Sequence, residues 1–520
     1  MKRCGGLHGC YVGGGKVLLF IRRSFLSVAC WTFWLSSYAV ADPVTLTLPD
    51  GNFSVSGEFV DFDGSFYKID TEFGLLTMAG DTVICTGLPC PLIEDIIQRV
   101  VFSGDRVLGQ ALLLPLIKRF ANTREYNIES FTLENSVEEL HFSKPEYNQT
   151  MAVFRISFNS TSEGISKITD GNADFSMARR AVMDLEKKLL NANFGPKSTA
   201  PRRSKVIGWE RLQIRAENNN KASLLSTENL ISMTSGSPAL WPLKNGVQLP
   251  VFIDGLDESV MALRQQLEQP TMSKTERPQG VNTPGILSVS HLWQGAKNEI
   301  QVVTSCEEVS NQPTEKKGAA NPLRVPIYLI ASPKKLAPIA RDFWSFLMSL
   351  EAQKLVQDLG FESRTPLEVK FDGSAGIILK SVLNTDADMR ADDLRNAIQS
   401  LLGYSRLSVS FRFLEGSQVL DETSQSNLGY LVNLFLSGRY DGREVIFAGF
   451  SDSQGSSEGN LQISLDRARA VRATINTMLA EKNVEQFQFQ AIGLGEGLPT
   501  VCNNSDWGHY QNRRVEVWIK

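Results

Sequence analysis

The sequence predicts a multidomain α/β chain with a small N-terminal β-barrel, a two-lobed α/β module and a C-terminal α/β sandwich. Three observations predict it. Residues 42 to 92 alternate short strand patterns with tight turns, 96 to 363 alternate strands with helices, and Val445 to Leu479 read as strand, loop and helix. With 520 residues, 42% hydrophobic and 21% charged, the composition is that of a globular chain with room for about three or four domains. A net charge of -4 gives no global pull toward nucleic acid or acidic membranes, so no nucleic-acid partner is expected.

Residues 1–41 read as an export signal. Basic Lys2, Arg3, Lys16, Arg22 and Arg23 precede an apolar run from Phe25 to Tyr38, and Ala39-Val40-Ala41 offers small residues before Asp42. Arg22-Arg23-Ser24-Phe25-Leu26 also fits a twin-arginine signal, so both the Sec and the twin-arginine routes stand. The apolar run is shorter than the roughly 20 residues a membrane span needs. Cleavage would remove Cys4, Cys10 and Cys30 and leave Cys85, Cys90, Cys306 and Cys502. In an oxidising compartment the neighbours Cys85 and Cys90 pair as a local disulfide, with a metal site as the alternative. Only His141, His291 and His509 would remain, and no second cysteine pair accompanies them, so no metal is expected. Cys306 and Cys502 are left open between free and bridged.

In the small β domain, 42–92, strand patterns at Val44–Leu48, Phe53–Val60, Phe66–Ile69 and Gly74–Thr77 are separated by Asp50-Gly51 and Asp63-Gly64, which are hairpin signals. Phe53, Phe59, Phe62 and Tyr67 read as its core, with a ligand face as the alternative.

Across 96–363, the helical pattern from Pro338 to Leu359 carries Ile339, Phe343, Phe346, Leu347 and Leu350 on one face and Gly360 as its stop. The segments 194–205 and 311–318 are polar and read as exposed connections. Ser103-Gly104 ahead of Leu112–Ile117, Ser160–Ile165, Asp170–Arg180, Val206–Trp209 and Tyr328–Ala331 together resemble the periplasmic phosphate-binding proteins of ABC importers. The resemblance implies two lobes closing on an oxyanion, held by hydroxyls, an arginine and helix-start N–H groups. Its anion cleft would use Ser103, Gly104, Ser160, Thr161, Ser162 and Arg180. The chain departs from that pattern where it has Asp105 and Val107 in place of hydroxyls, and Asp257-Glu258-Ser259 in place of a Ser-Gly-Thr loop. Carboxylates beside an anion cost Coulomb energy, so a phosphate-like anion, another ligand and an interaction scaffold all stay open for this module.

Residues 364–405 read as a connector whose one amphipathic helix carries Leu394, Ala397, Ile398 and Leu401. The C-terminal domain, 406–520, then opens with the strand Leu407–Phe411. The strand Val445–Ala448 leads through Gly449–Gly455 to a helix predicted to open at Ser464 as N-cap, with Arg467 in its first turn. Asp452 at a strand end suits an ammonium and Arg467 at a helix start a carboxylate, so together they suit a zwitterion. As a lone pair they would read equally as a structural ion pair.

Gly449-Phe450-Ser451-Asp452, Asn460, Ile463-Ser464, Arg467-Ala468, Gly493–Glu496, Pro499, Asn503 and Asn512–Glu516 resemble the OmpA-like peptidoglycan-binding domain over about the last 110 residues. Phe450 and Ser451 stand where that family has His and Thr. The resemblance implies that Asp452 and Arg467 bind the diaminopimelate of a peptidoglycan stem peptide, supported by Asn460, Ser464 and Arg513.

No Gly-x-Ser-x-Gly elbow, nucleotide fingerprint or zinc-protease helix appears, and Gly13-Gly14-Gly15-Lys16 lacks the rest of a phosphate loop. No catalysis and no cofactor are expected. The reading is a periplasmic protein of a Gram-negative envelope, at the cell wall and outer membrane, tethered to peptidoglycan and capturing a solute or an envelope protein. The alternatives are an ABC-type phosphate or anion transport receptor and a wall-bound structural scaffold.

Overall fold

The computed structural model describes residues 43–62, 66–90, 97–133, 137–145, 150–216, 224–234, 239–242, 248–253, 258–267, 285–291, 299–303, 323–371, 391–414, 417, 419–484 and 487–520. The export-signal reading, Cys306 and the excursion at 311–318 lie outside them.

Five antiparallel strands form the N-terminal unit: β1 (Pro43–Thr47), β2 (Ser54–Phe62), β3 (Phe66–Thr71), β4 (Gly74–Ala79) and β5 (Ile84–Thr86). Their order is β4-β3-β2-β1-β5, so among the described residues the sheet is open, with β4 and β5 as edges, and the predicted barrel closure is not seen. One face packs a core of Val44, Leu46, Tyr67, Ile69 and Val83. Tyr67 stacks on Phe62, whereas Phe53 lies 47% exposed outside the core. Cys85 and Cys90 are disulfide-bonded with their Cα atoms 5.8 Å apart.

The middle module is built on a twelve-stranded sheet. Its first lobe centres on β6 (Gln98–Asp105), with β7 (Asn127–Leu133), β8 (Val137–Ser143), β9 (Thr150–Asn159) and β10 (Phe175–Ala178). β9 and β10 flank β6 in parallel. On one face pack α1 (Leu114–Thr123), α6 (Pro338–Phe346) and α7 (Leu350–Asp358), which bury Phe120, Phe343 and Val356. On the other lie α2 (Thr161–Thr169) and α3 (Asp184–Phe194), burying Ile165, Ile168 and Leu190. The single helix predicted over 338–359 is therefore two, because the Ser349 hydroxyl accepts from the Ala352 N–H and starts a new helix. Leu350 then sits in the new first turn, turned out to solvent.

The 13-residue strand β11 (Ser204–Ala216) joins the lobes: residues 204–211 pair with β17 (Arg324–Ala331) in the first, and 212–216 with β15 (Gly285–His291) in the second. The second lobe adds β12 (Leu224–Ser226), β13 (Ala239–Pro242), β14 (Gln248–Ile253) and β16 (Glu299–Val303), with α4 (Thr227–Thr234) and α5 (Glu258–Gln266).

The C-terminal sheet has the order β18-β19-β22-β20-β21, from β18 (Glu368–Lys370), β19 (Ser405–Arg412), β20 (Val445–Gly449), β21 (Phe489–Gly493) and β22 (Arg514–Ile519). α9 (Glu422–Leu436) and α10 (Ser457–Ala480) cover one face, and α8 (Ala391–Leu401) the other. β18 and α8, from the segment read as a connector, are thus parts of this unit. A short helix, α11 (Asp506–Asn512), precedes β22.

This unit packs on both lobes. Arg364 donates to the Val206 carbonyl of β11, to Ser426 Oγ at 2.7 Å and to Asn427 Oδ1 at 3.2 Å on α9. Val501 and Trp507, beside and within α11, enter the core of the second lobe with Leu212, Leu230 and Leu263. Cys502 between them is also disulfide-bonded. No described helix is long and apolar enough to cross a membrane.

Candidate functional site

Two sites follow from this scaffold. The first lies where β20 runs into the loop before α10. That helix presses so close to β20 that a Cβ on Gly449 would stand 1.9 Å from the Ser464 carbonyl oxygen, which makes glycine obligatory there. Beyond it the chain turns, and Ser451 N–H donates to the Gly495 carbonyl, setting Asp452 at the pocket.

α10 does not open at Ser464 as the sequence predicted. Ser456 caps it by accepting from the Gly459 N–H, because a Ser eight residues upstream is equally fit to cap and Glu458 favours the first turn. Ser464 is interior: its hydroxyl donates to the Leu461 carbonyl and accepts from Gly495 N–H at 3.0 Å, tying helix to loop. Arg467 therefore stands in the third turn, beyond the free N–H groups, and reaches the site as a buried side chain.

Asp452 is bound by Arg513 Nη1 at 2.7 Å, and His509 Nδ1 lies 3.6 Å from the same carboxylate oxygen. Asn460 donates to the Asp452 carbonyl at 3.3 Å and to Glu496 at 2.6 Å. Arg467 is nine-tenths buried, and among the described residues its guanidinium has no hydrogen bond or salt bridge. It sits 5.6 Å over the Phe413 ring. Burial, then repulsion from Arg513, lowers its pKa, while Asp452 works the other way. The pocket so holds a carboxylate already paired with one arginine and a second, largely buried arginine with no hydrogen bond or salt bridge among the described residues. His509, Arg513 and Ser451 each keep a buried polar atom with no hydrogen-bond partner. Sequence reasoning gave His509 no place in the site, since it stands in no distinctive local pattern, and met Glu496 only within the Gly493–Glu496 segment without assigning it a role.

Phe450, in the place of a histidine, does not enter this pocket. Its ring is buried on the α8 side with Ala448, Leu494 and Trp518, and the Arg514 guanidinium stacks 4.0 Å above it.

The second site is at the carboxyl ends of the parallel strands β6, β9 and β10, where an α/β sheet places ligands. Asp105, Asn159 and Arg179 stand there. The Asn159 side chain accepts from Ser103 Oγ at 3.1 Å and from Gly104 N–H at 2.8 Å. Gly104 has φ +137°, and a Cβ there would lie 2.2 Å from the Met177 carbonyl oxygen. Ser160 caps α2 through the Glu163 N–H, and Thr161 Oγ1 accepts from the Arg179 N–H. Arg180 grips Glu186 with both forks at 2.8 Å and Ser162 at 2.9 Å.

The arginine between the lobes is its neighbour, Arg179. Its Nε meets Asp105 at 2.6 Å and its Nη1 meets Glu210 of β11, all three groups being buried. Glu258 at the start of α5 brings a third carboxyl. Burial raises its pKa, helped by Asp105, against a hydrogen bond from Thr161 and the attraction of Arg180 and Arg179. Gln265 of α5 accepts from Ala181 N–H at 2.7 Å and donates to its carbonyl at 3.3 Å, holding the lobes together. Adjacent arginines cannot be told apart in sequence; their directions at the end of β10 separate them. No group of three or more His, Cys, Asp or Glu side chains suited to a metal occurs among the described residues.

No curated protein matches the chain. Among solved structures, it is similar to an ABC-type phosphate transport receptor from Vibrio cholerae, at 13% identity over 51% of this chain and 100% of that one, TM-score 0.35. It is also similar to the peptidoglycan-associated lipoprotein from Burkholderia pseudomallei, at 26% identity over 21% of this chain and 89% of that one, TM-score 0.19. A third is the cell wall anchor of the T6SS from Pseudomonas aeruginosa, at 19% identity over 26% and 98%, TM-score 0.18. Residues 412–513 match the family model of the OmpA family, and this stretch is an OmpA family domain.

Proposed function

We propose that the chain is a periplasmic protein of the Gram-negative envelope, held non-covalently to peptidoglycan at the diaminopimelate of a stem peptide. Asp452 takes the ammonium and Arg467 the carboxylate, while Asn460, Ser464 and Arg513 hold the pocket in shape. The OmpA family match supports this reading. The observation that carries it is Arg467, buried beside the Asp452–Arg513 pair with no acceptor of its own among the described residues. A largely buried guanidinium gains more from a ligand carboxylate than an exposed one, since part of its hydration is already lost. Co-sedimentation with purified sacculi tests the site. Asp452→Ala and Arg467→Ala should each leave the folded protein in the supernatant, and undiminished pelleting by both variants would remove the proposal.

For the middle module, the surroundings of Arg179 favour one of the readings. Two buried carboxylates already neutralise it, and Glu258 adds a third acid, so an incoming phosphate would meet net negative charge. With Gln265 also bonding the lobes, this favours a wall-tethered scaffold for an envelope protein over a transport receptor. Small-angle scattering should show an envelope unchanged by millimolar phosphate; a lobe closure on phosphate would restore the receptor.

A further inference from the structure

We propose that the crevice between the N-terminal sheet and the first lobe binds a phosphate group. It encloses about 480 Å3, and Arg202, Arg203, Lys334, Lys335 and Arg341 line it, with no acidic side chain among the described lining residues. A chain of net charge -4 has gathered five cations around one cavity. Trp344 adds an indole edge, since Phe175 stacks on the ring at 5.5 Å and Lys205 stands 4.3 Å from its centre. The described lining side chains thus carry hydrogen-bond donors and no charged acceptor, so the complementary ligand supplies acceptors and negative charge.

Arg203 shapes one wall. Its Nη atoms donate to the carbonyls of Ser332 at 2.8 Å and Pro333 at 3.0 Å, while its buried Nε has no hydrogen-bond partner. Burial, then repulsion from Arg202, lowers its pKa, so two guanidinium groups are held together against their charge. Lys335 lies against the N-terminal sheet, 4.8 Å above the Phe66 ring of β3. An anion among these groups relieves the repulsion. Phosphate suits them better than a carboxylate because its tetrahedral oxygens carry up to two charges and meet several cations at once. The site is separate from the cleft at Arg179.

The phosphate group belongs to a soluble phosphoester or to a lipid headgroup, and two arms tell these apart. The full chain is titrated calorimetrically with glycerol 3-phosphate and sedimented with phosphatidylglycerol vesicles, against phosphatidylcholine vesicles as control. Binding in at least one arm is expected, weakened about tenfold or more in the Arg202→Ala, Lys335→Ala double variant. Heat with glycerol 3-phosphate identifies a soluble source; sedimentation alone identifies the headgroup. Both substituted side chains are exposed, and an unchanged melting curve confirms that the variant folds. Absence of binding in both arms, or binding unchanged in the double variant, overturns the proposal.

Discussion

Arg513 Nη1 lies 2.7 Å from the Asp452 carboxylate, joining the loop after β20 to the residue between α11 and β22. The contact holds the acid in place and also shares it. An ammonium from a ligand must then be accepted by the remaining lone pairs of Asp452. Arg513→Met should therefore weaken sacculus binding without abolishing it, by about tenfold, the size of one charge-assisted hydrogen bond. Quantitative sedimentation checks this, and an effect as complete as that of Asp452→Ala would make Arg513 a direct ligand group.

Trp507 belongs to α11 yet lies in the core of the second lobe. One short helix so touches the Asp452 pocket through His509 and the middle module through Trp507. Trp507→Ala should cost about 3–5 kcal/mol, as large-to-small changes in cores do. Denaturant unfolding followed by circular dichroism should also lose cooperativity, with the second lobe melting first.

Lys205 sits under Trp344, and burial, then Arg364, lowers its pKa from 10.5 to about 7, although the ring favours the charged form. Between those values the unfolded chain holds a proton that the folded chain lacks, so stability rises with pH from about 7 to 10.5. Lys205→Met removes the group. It should be more stable than the wild type at pH 6, with the gap narrowing as pH rises through that window, read from urea midpoints.

Glu258 is shifted in the opposite direction but likewise toward its neutral form, since burial raises its carboxyl above the ordinary 4.5. Its contribution is full below that value and is lost as pH rises through the folded pKa. Glu258→Gln should melt higher than the wild type at pH 7.5 and alike at pH 4. A lower melting temperature at pH 7.5 would mean that the carboxylate is needed as an anion beside Arg179.

The strand and helix alternation of the middle module, and the strand–loop–helix of the C-terminal unit, were legible because apolar spacing is local information. Choices among equivalent local signals were not. Ser456 and Ser464 are both fit caps, and Ser349 could interrupt a helix whose apolar face reads on past it. Long-range facts were hidden altogether: that β4 and β5 stay edges, that Phe450 faces the α8 side, and that Trp507 serves another unit's core. The sequence marked Asp105 as unwelcome to an anion, but the partnership of Arg179 with Glu210, 31 residues on, needed the sheet to bring them together.

The pairing of Arg467 with a ligand carboxylate is tested most directly by titrating two stem peptides that differ at one residue. One carries diaminopimelate, the other lysine, which keeps the ammonium and lacks the second carboxylate. The wild type should prefer the diaminopimelate peptide by about tenfold to a hundredfold, the range of a charge-assisted hydrogen bond, and Arg467→Ala should bind both alike. An equal preference in wild type and variant would contradict the account.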